Sequence, residues 1–249
     1  MMTHFFDSTE SIAEGLGFPL FGFGHICWMV AFVAFAVLCC RIYKQSNHEK
    51  RKRIRYIFVA LLLLDEAIKI VGLSVQGLYE AQYLPFHLCS INIFIILWHS
   101  GHPNRAMDNY LFTVGIPAAM IAILTPSWAV LPFWKFMNIH SFTVHILLGT
   151  YPIMLTYSGE LNPQIKYIPG SLGILAVLAA IAYGANLIFD TNFMFLMYAH
   201  PGTPLVWFAE NWGNHFFGFP VLISAILVVM YSGLAVYRKL SDRGLRNGR

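Results

Sequence analysis

Lys44-Gln45-Ser46-Asn47-His48-Glu49-Lys50-Arg51-Lys52-Arg53-Ile54-Arg55 separates two long apolar runs, from about Phe21 to Tyr43 and from about Tyr56 to Tyr79. Runs of this length are near the ~20 residues a helix needs to cross a hydrocarbon core, where only helices or closed barrels satisfy their backbone. The runs are continuous rather than alternating, which excludes the barrel. Lys and Arg beside a span stay cytoplasmic, so the stretch predicts a hairpin closed on the inside and an N-terminus outside. It lacks interleaved aromatics and abuts a span. Topology and anionic lipid therefore account for its charge, and no nucleic-acid partner is expected.

Working outward, five more runs follow: Leu84 to about Ser100, about Asn109 to Leu124 with a kink expected at Gly115 and Pro117, Phe136 to Tyr157, Tyr167 to Phe189, and Phe216 to Tyr237. The chain is 57% hydrophobic and 11% charged, against roughly 25% charged in an average soluble domain. The expected fold is all-α: a polytopic membrane protein with seven transmembrane helices, forming one domain over residues 1–249. Residues 1–20 carry Asp7, Glu10 and Glu14 but no Lys or Arg, unlike a cleaved signal peptide, and are expected to be extracytoplasmic. The basic tail 238–249 is expected to be cytoplasmic. This arrangement puts fourteen of the sixteen Lys and Arg residues inside, with only Lys69 and Lys135 elsewhere. The expected location is the cell membrane, crossed many times.

The second run holds Asp65, Glu66 and Lys69 near its middle. Such groups cost about 2.5–3.5 kcal/mol each on insertion and normally face a bundle interior. Lys69 is i+4 from Asp65 and i+3 from Glu66, so the cluster can neutralise itself on one helix. Two readings stand for it: an internal ion pair that fixes packing, or part of a polar site.

The third run opens with Pro85-Phe86-His87-Leu88-Cys89-Ser90-Ile91-Asn92, where a proline in the first helical turn loses no internal hydrogen bond. Cys89, Asn92, Ile96 and His99 then share one stripe. In the fifth run Ser141, His145 and Gly149 recur at i+4, giving a histidine on a narrow face. A thiol on one helix and an imidazole on another are the parts of a nucleophile and its base. Counted from the outer ends at ~1.5 Å per residue, Cys89 lies about 7 Å deep and His145 about 13 Å deep. His87, Asn138, His140, Asn186, Asp190 and Asn192 fall in the same outer half, which predicts a polar pocket there. His140 and His145 are about 140° apart around their helix, so at most one faces the Cys89 stripe. His145 is favoured for its depth, with His140 second. His87 is read as orienting the helix entry or a lipid headgroup.

No CxxC, HxxxH or HExxH spacing supports a metal site, and no cofactor is implied. The four cysteines lie inside apolar runs, which argues for free thiols rather than a disulfide framework. A glycine-rich phosphate loop, a GxSxG elbow and a paired-carboxylate motif are all missing from the sequence.

In order along the chain, Leu84-Pro85-Phe86-His87-Leu88-Cys89-Ser90, Leu124-Thr125-Pro126, Val144-His145-Ile146, Asn186 and Asp190-Thr191-Asn192-Phe193-Met194-Phe195-Leu196 resemble the YwaF-like bacterial integral membrane family, whose eukaryotic relatives include transmembrane protein 164. The resemblance implies a seven-helix membrane fold. Its eukaryotic member is described as an acyltransferase building ether phospholipids, so the resemblance also implies acyl transfer with Cys89 as nucleophile and His145 as base. The expected partners are membrane lipids, phospholipid and lysolipid. Glu66, Lys69, His87, Asn92, Asn138, His140, Asn186, Thr191 and Asn192 are the residues expected to support the pocket, with Asn92 or Asn138 donating to the oxyanion. The competing class is a transporter or sensor in which Asp65, Glu66, Lys69 and the histidines bind a solute or relay protons. A purely structural membrane subunit is a third.

Overall fold

Asn47 sets the first hairpin. Its backbone is extended (φ −72°, ψ 172°) and its side chain accepts from the Lys50 N–H, so α1 (Phe23–Gln45) and α2 (His48–Val75) are separated only by Ser46 and Asn47. The basic stretch expected as a loop is therefore helical from His48 onward. An Asn cap followed by Glu, Lys and Arg, all good helix formers, explains the correction. This computed structural model describes Phe5 and residues 17–247, with side chains described through residue 240. The expectations for Asp7, Glu10 and Glu14 and for the tail side chains beyond residue 240 lie outside the described residues.

The third run also begins later than expected. α3 (Leu88–Gly101) starts after His87, whose ψ of 150° is extended, so Pro85 precedes the helix instead of sitting in its first turn. Aromatic packing holds this entry segment: Phe86 lies against the Phe189 and Phe193 rings, and His87 meets Phe193 edge-on at 5.0 Å. The fourth run is α4 (Arg105–Tyr110), a π-helical stretch (Leu111–Gly115) and α5 (Ile116–Leu124) in succession. The kink expected at Gly115 and Pro117 takes the form of that π stretch, after which Pro117 sits in the first turn of α5, where its missing N–H is harmless.

α6 (Phe136–Ser158) ends at Gly159, whose φ of 80° gives the left-handed cap that glycine adopts without strain. α7 (Ile168–Phe189) is followed by α8 (Pro204–Trp212) and α9 (Gly218–Asn247). Among the described residues every regular element is helical. Five helical stretches, 23–45, 81–101, 105–130, 165–189 and 215–240, are long and apolar enough to cross a membrane.

The chain divides into two units, one ending at Met194 and the other beginning at Phe195. In the first, α6 is the hub: α1, α5, α2 and α3 all pack on it, while α4 packs on α7. Phe32 and Ala36 of α1, Ile123 of α5, and Phe142 and Ile146 of α6 form a buried cluster. Glu160, in the turn after α6, accepts from Tyr43 Oη at 2.7 Å and pairs with Arg55 and Arg51, tying the α1–α2 hairpin to that turn. In the second unit, α8 packs on the short helical turn His215–Phe217 and on α9. Gly218 lies so close to Leu205 and Phe208 that a Cβ there would come within 2.8 Å of both.

Candidate functional site

The α3 stripe faces the interior of the first unit. Cys89 is the second residue of α3, where the open N–H groups of a helix start are placed to stabilise negative charge. Below it Asn92, Ile96 and His99 are buried. Asn92 Oδ1 accepts from Tyr110 Oη at 2.8 Å. Asp108 can only accept, so His99 Nε2–H donates to it at 3.0 Å, which leaves Nδ1 to accept from Tyr151 Oη at 2.9 Å. Asp108, Tyr110 and Tyr151 were missing from the expected set. Their signal was a polar atom inside an apolar run, which does not say which helix it will meet.

α2 meets this stripe with a buried ion pair. Lys69 Nζ donates to Glu66 Oε1 at 2.6 Å, with the two side chains 6% and 8% exposed, and reaches the Tyr83 carbonyl at 3.4 Å. Asp65 is left for α6: its Oδ2 lies 2.7 Å from His140 Nδ1. The approach is out of line for a regular hydrogen bond, and the two buried atoms face each other with no other hydrogen-bond partner. The His140 ring stacks on Phe136 at 5.8 Å.

His145 is the tenth residue of α6. Its Nδ1–H donates to the Ser141 carbonyl at 2.6 Å, which fixes the tautomer and leaves the lone pair on Nε2, the form a base requires. The ring stacks on Trp128 at 4.9 Å, and Gly149, on the same face, meets Phe32 of α1 and Ala119 of α5. That face thus turns toward α1, α5 and the segment after α5. Cys89 and His145 form no hydrogen bond with each other among the described residues, although α3 and α6 are in contact.

The remaining expected residues have specific positions. Asn138 Nδ2 donates to the Phe133 carbonyl at 2.8 Å, and its buried Oδ1 is without a partner. Asn186 holds the turn after α7: Nδ2 donates to the Phe193 carbonyl, and Oδ1 accepts from Phe193 N–H at 2.6 Å and from Thr191 Oγ1 at 3.0 Å. Both polar atoms of its side chain are engaged. Asn192 lies in the same turn, which Phe86 and His87 contact through Phe189 and Phe193. Two motifs about a hundred residues apart are thereby brought together beside Cys89. No group of three or more His, Cys, Asp or Glu among the described residues is arranged to hold a metal ion. The profile described as the TMEM164 family matches residues 20–231. No curated protein and no solved structure matches the chain.

Proposed function

The chain belongs to the TMEM164 family, and from that premise we propose a seven-span enzyme of the cell membrane, N-terminus outside and C-terminus cytoplasmic, that moves acyl chains between phospholipid and lysolipid through a Cys89 thioester. The observation that carries the reading is the setting of Cys89. It combines the first turn of α3, a buried Glu66–Lys69 pair on α2, the helix that packs on α3, and the clustered family motifs.

In the first half-reaction the thiol proton passes to His145 Nε2 as Sγ attacks an ester carbonyl carbon. The ester C–O bond breaks, and the departing lysolipid oxygen takes that proton. In the second, an acceptor hydroxyl gives its proton to Nε2 and attacks the thioester carbonyl. The C–S bond breaks, and the thiolate recovers the proton. Base contacts that are open in an empty site tighten in the substrate complex, and this step requires α3 and α6 to bring sulfur and imidazole together around the lipid. Backbone N–H groups at the start of α3 are placed to donate to the tetrahedral oxyanion. Asn92 Oδ1 is occupied by Tyr110, so its amide nitrogen is the part left to donate.

Intact-protein mass spectrometry of the purified chain in phospholipid tests this. The expected result is an acyl adduct that hydroxylamine removes and Cys89→Ser abolishes. Undiminished acyl exchange in Cys89→Ser overturns the mechanism. Solute flux in vesicles that survives Cys89→Ala and is lost in Glu66→Ala would instead establish the transporter reading.

A further inference from the structure

α8 is nine residues, about 14 Å, so it is too short to cross a hydrocarbon core of ~30 Å. Yet only Gly213 and Asn214 separate it from the stretch 215–240, which is long and apolar enough to do so. Packing fixes it at that junction. Leu205 and Phe208, one turn apart on α8, are buried and crowd Gly218, the first residue of α9. The opposite face of α8 is open. Trp207, Glu210 and Asn211 occupy it at i, i+3 and i+4, and all three are exposed. Trp207 is 53% and Trp212 52% exposed, and Phe217 lies 6.3 Å from the Trp212 ring at the start of the span. Glu210 is the only Asp, Glu, Lys or Arg between Phe195 and Tyr237. Among the described residues it forms no ion pair. Water on this face leaves two indoles half bare, and lipid tails strand the carboxylate. The headgroup layer satisfies both, because it takes an amphipathic indole at its own level and offers charged partners.

We propose that α8 is an interfacial helix docked on the headgroup layer of the bilayer, where the Trp207 ring and the Glu210 carboxylate take the ammonium group of a zwitterionic phospholipid. A cation over an indole face is attracted by its ring electrons, and the carboxylate one turn away adds an opposite charge. Charge selects this occupant. An anionic headgroup without an amine is repelled by Glu210, and no Lys or Arg between residues 167 and 237 is there to hold it. The docked lipid is the surface of the bilayer and not a substrate, so nothing in the assignment rests on the acyl-transfer reading.

The test is fluorine NMR of the full chain in nanodiscs, with fluorotryptophan at all six tryptophans and the two lines of α8 assigned by Trp207→Phe and Trp212→Phe. A trace of phosphatidylcholine spin-labelled on its headgroup is expected to broaden both lines about three-fold more than a mid-chain label does. Changing the bulk lipid from phosphatidylcholine to phosphatidylglycerol removes the competing ammonium. At a fixed trace the Trp207 broadening should then rise about two-fold, and Glu210→Gln, a change on an exposed face, should abolish the rise. Trp134, exposed but beside Lys135 instead of an acid, is the reference and should show no such rise. Lines broadened mainly by a soluble gadolinium chelate would put the face in water, and lines broadened mainly by the mid-chain label would put it among the tails. Lines that no agent reaches would put it under protein. Each of these overturns the docking. A Trp207 line indifferent to the bulk lipid, a rise that persists in Glu210→Gln, or an equal rise at Trp134 overturns the ammonium assignment.

Discussion

Lys69 has two carboxylates within helical reach and takes one. It bonds Glu66 at i−3, and Asp65 at i−4 turns to His140 on another helix. The spacing alone left both partners open, because i+3 and i+4 neighbours on a helix are equally near and only the packing of α6 beside Asp65 separates them. The Glu66–Lys69 pair is buried, so removing one member strands a charge. Glu66→Gln or Lys69→Met alone is expected to cost about 3–5 kcal/mol, whereas Glu66→Leu with Lys69→Met recovers most of that loss. Unfolding of the detergent-solubilised variants by mixed-micelle titration measures this. If the pair also sets the environment of Cys89, the double variant regains stability without regaining the acyl adduct. Recovery of both would make the pair purely architectural. His99 illustrates what residue-level reading could not reach: its place on the Cys89 stripe was legible, but its bridge from Asp108 to Tyr151 joins side chains from three separate segments.

At the scale of elements, α6 is shaped by what it lacks. Gly149 lets Phe32 of α1 and Ala119 of α5 approach so closely that a Cβ would meet both at 3.2 Å. The small-residue face of Ser141, His145 and Gly149 was readable from its i+4 recurrence. Its partners were not, since a periodicity names a face and not the neighbour that covers it. Gly149→Val forces α1 and α5 away from α6 and is expected to destabilise by about 1–3 kcal/mol. Because His145 lies one turn earlier on that face, against Trp128, the same variant should disturb its stacking. Thermal unfolding and Trp fluorescence of the purified variant check the two effects together, and an unshifted Tm would mean that α1 and α5 yield freely. Element boundaries divide the same way. α7 was legible to within a residue because its run is apolar throughout except for Ser171 and Asn186. The start of α3 was misplaced because Pro85 permits a first turn without requiring one, and rings from the turn after α7 decide the matter.

For the whole molecule, the number of crossings turns on α2 and α6, the two long helices outside the five stretches apolar enough to span by composition. Charge does not decide between five spans and seven. Both leave the N-terminus outside and the tail inside, and both keep Arg41 to Arg55 cytoplasmic. Packing favours seven. α6 is 23 residues, about 34 Å, buried along most of its length from Phe136 to Leu155 and enclosed by α1, α5, α2 and α3. A helix that faces protein instead of lipid needs no apolar surface, so Asn138, His140, His145 and Thr150 lower its hydropathy without barring it from the bilayer. α2, at 28 residues and about 42 Å, turns Glu66 and Lys69 inward in the same way. The two topologies place the connections at residues 76–87, 102–104 and 125–135 on opposite sides. Single cysteines at Gln76, Asn104 and Ser127, introduced after the four native cysteines are replaced, distinguish them with a membrane-impermeant maleimide on intact cells. Seven spans expose Gln76→Cys and Ser127→Cys from outside and protect Asn104→Cys until the membrane is permeabilised. The reverse pattern would put α2 and α6 outside the set of crossing helices and remove the outer-leaflet setting proposed for Cys89.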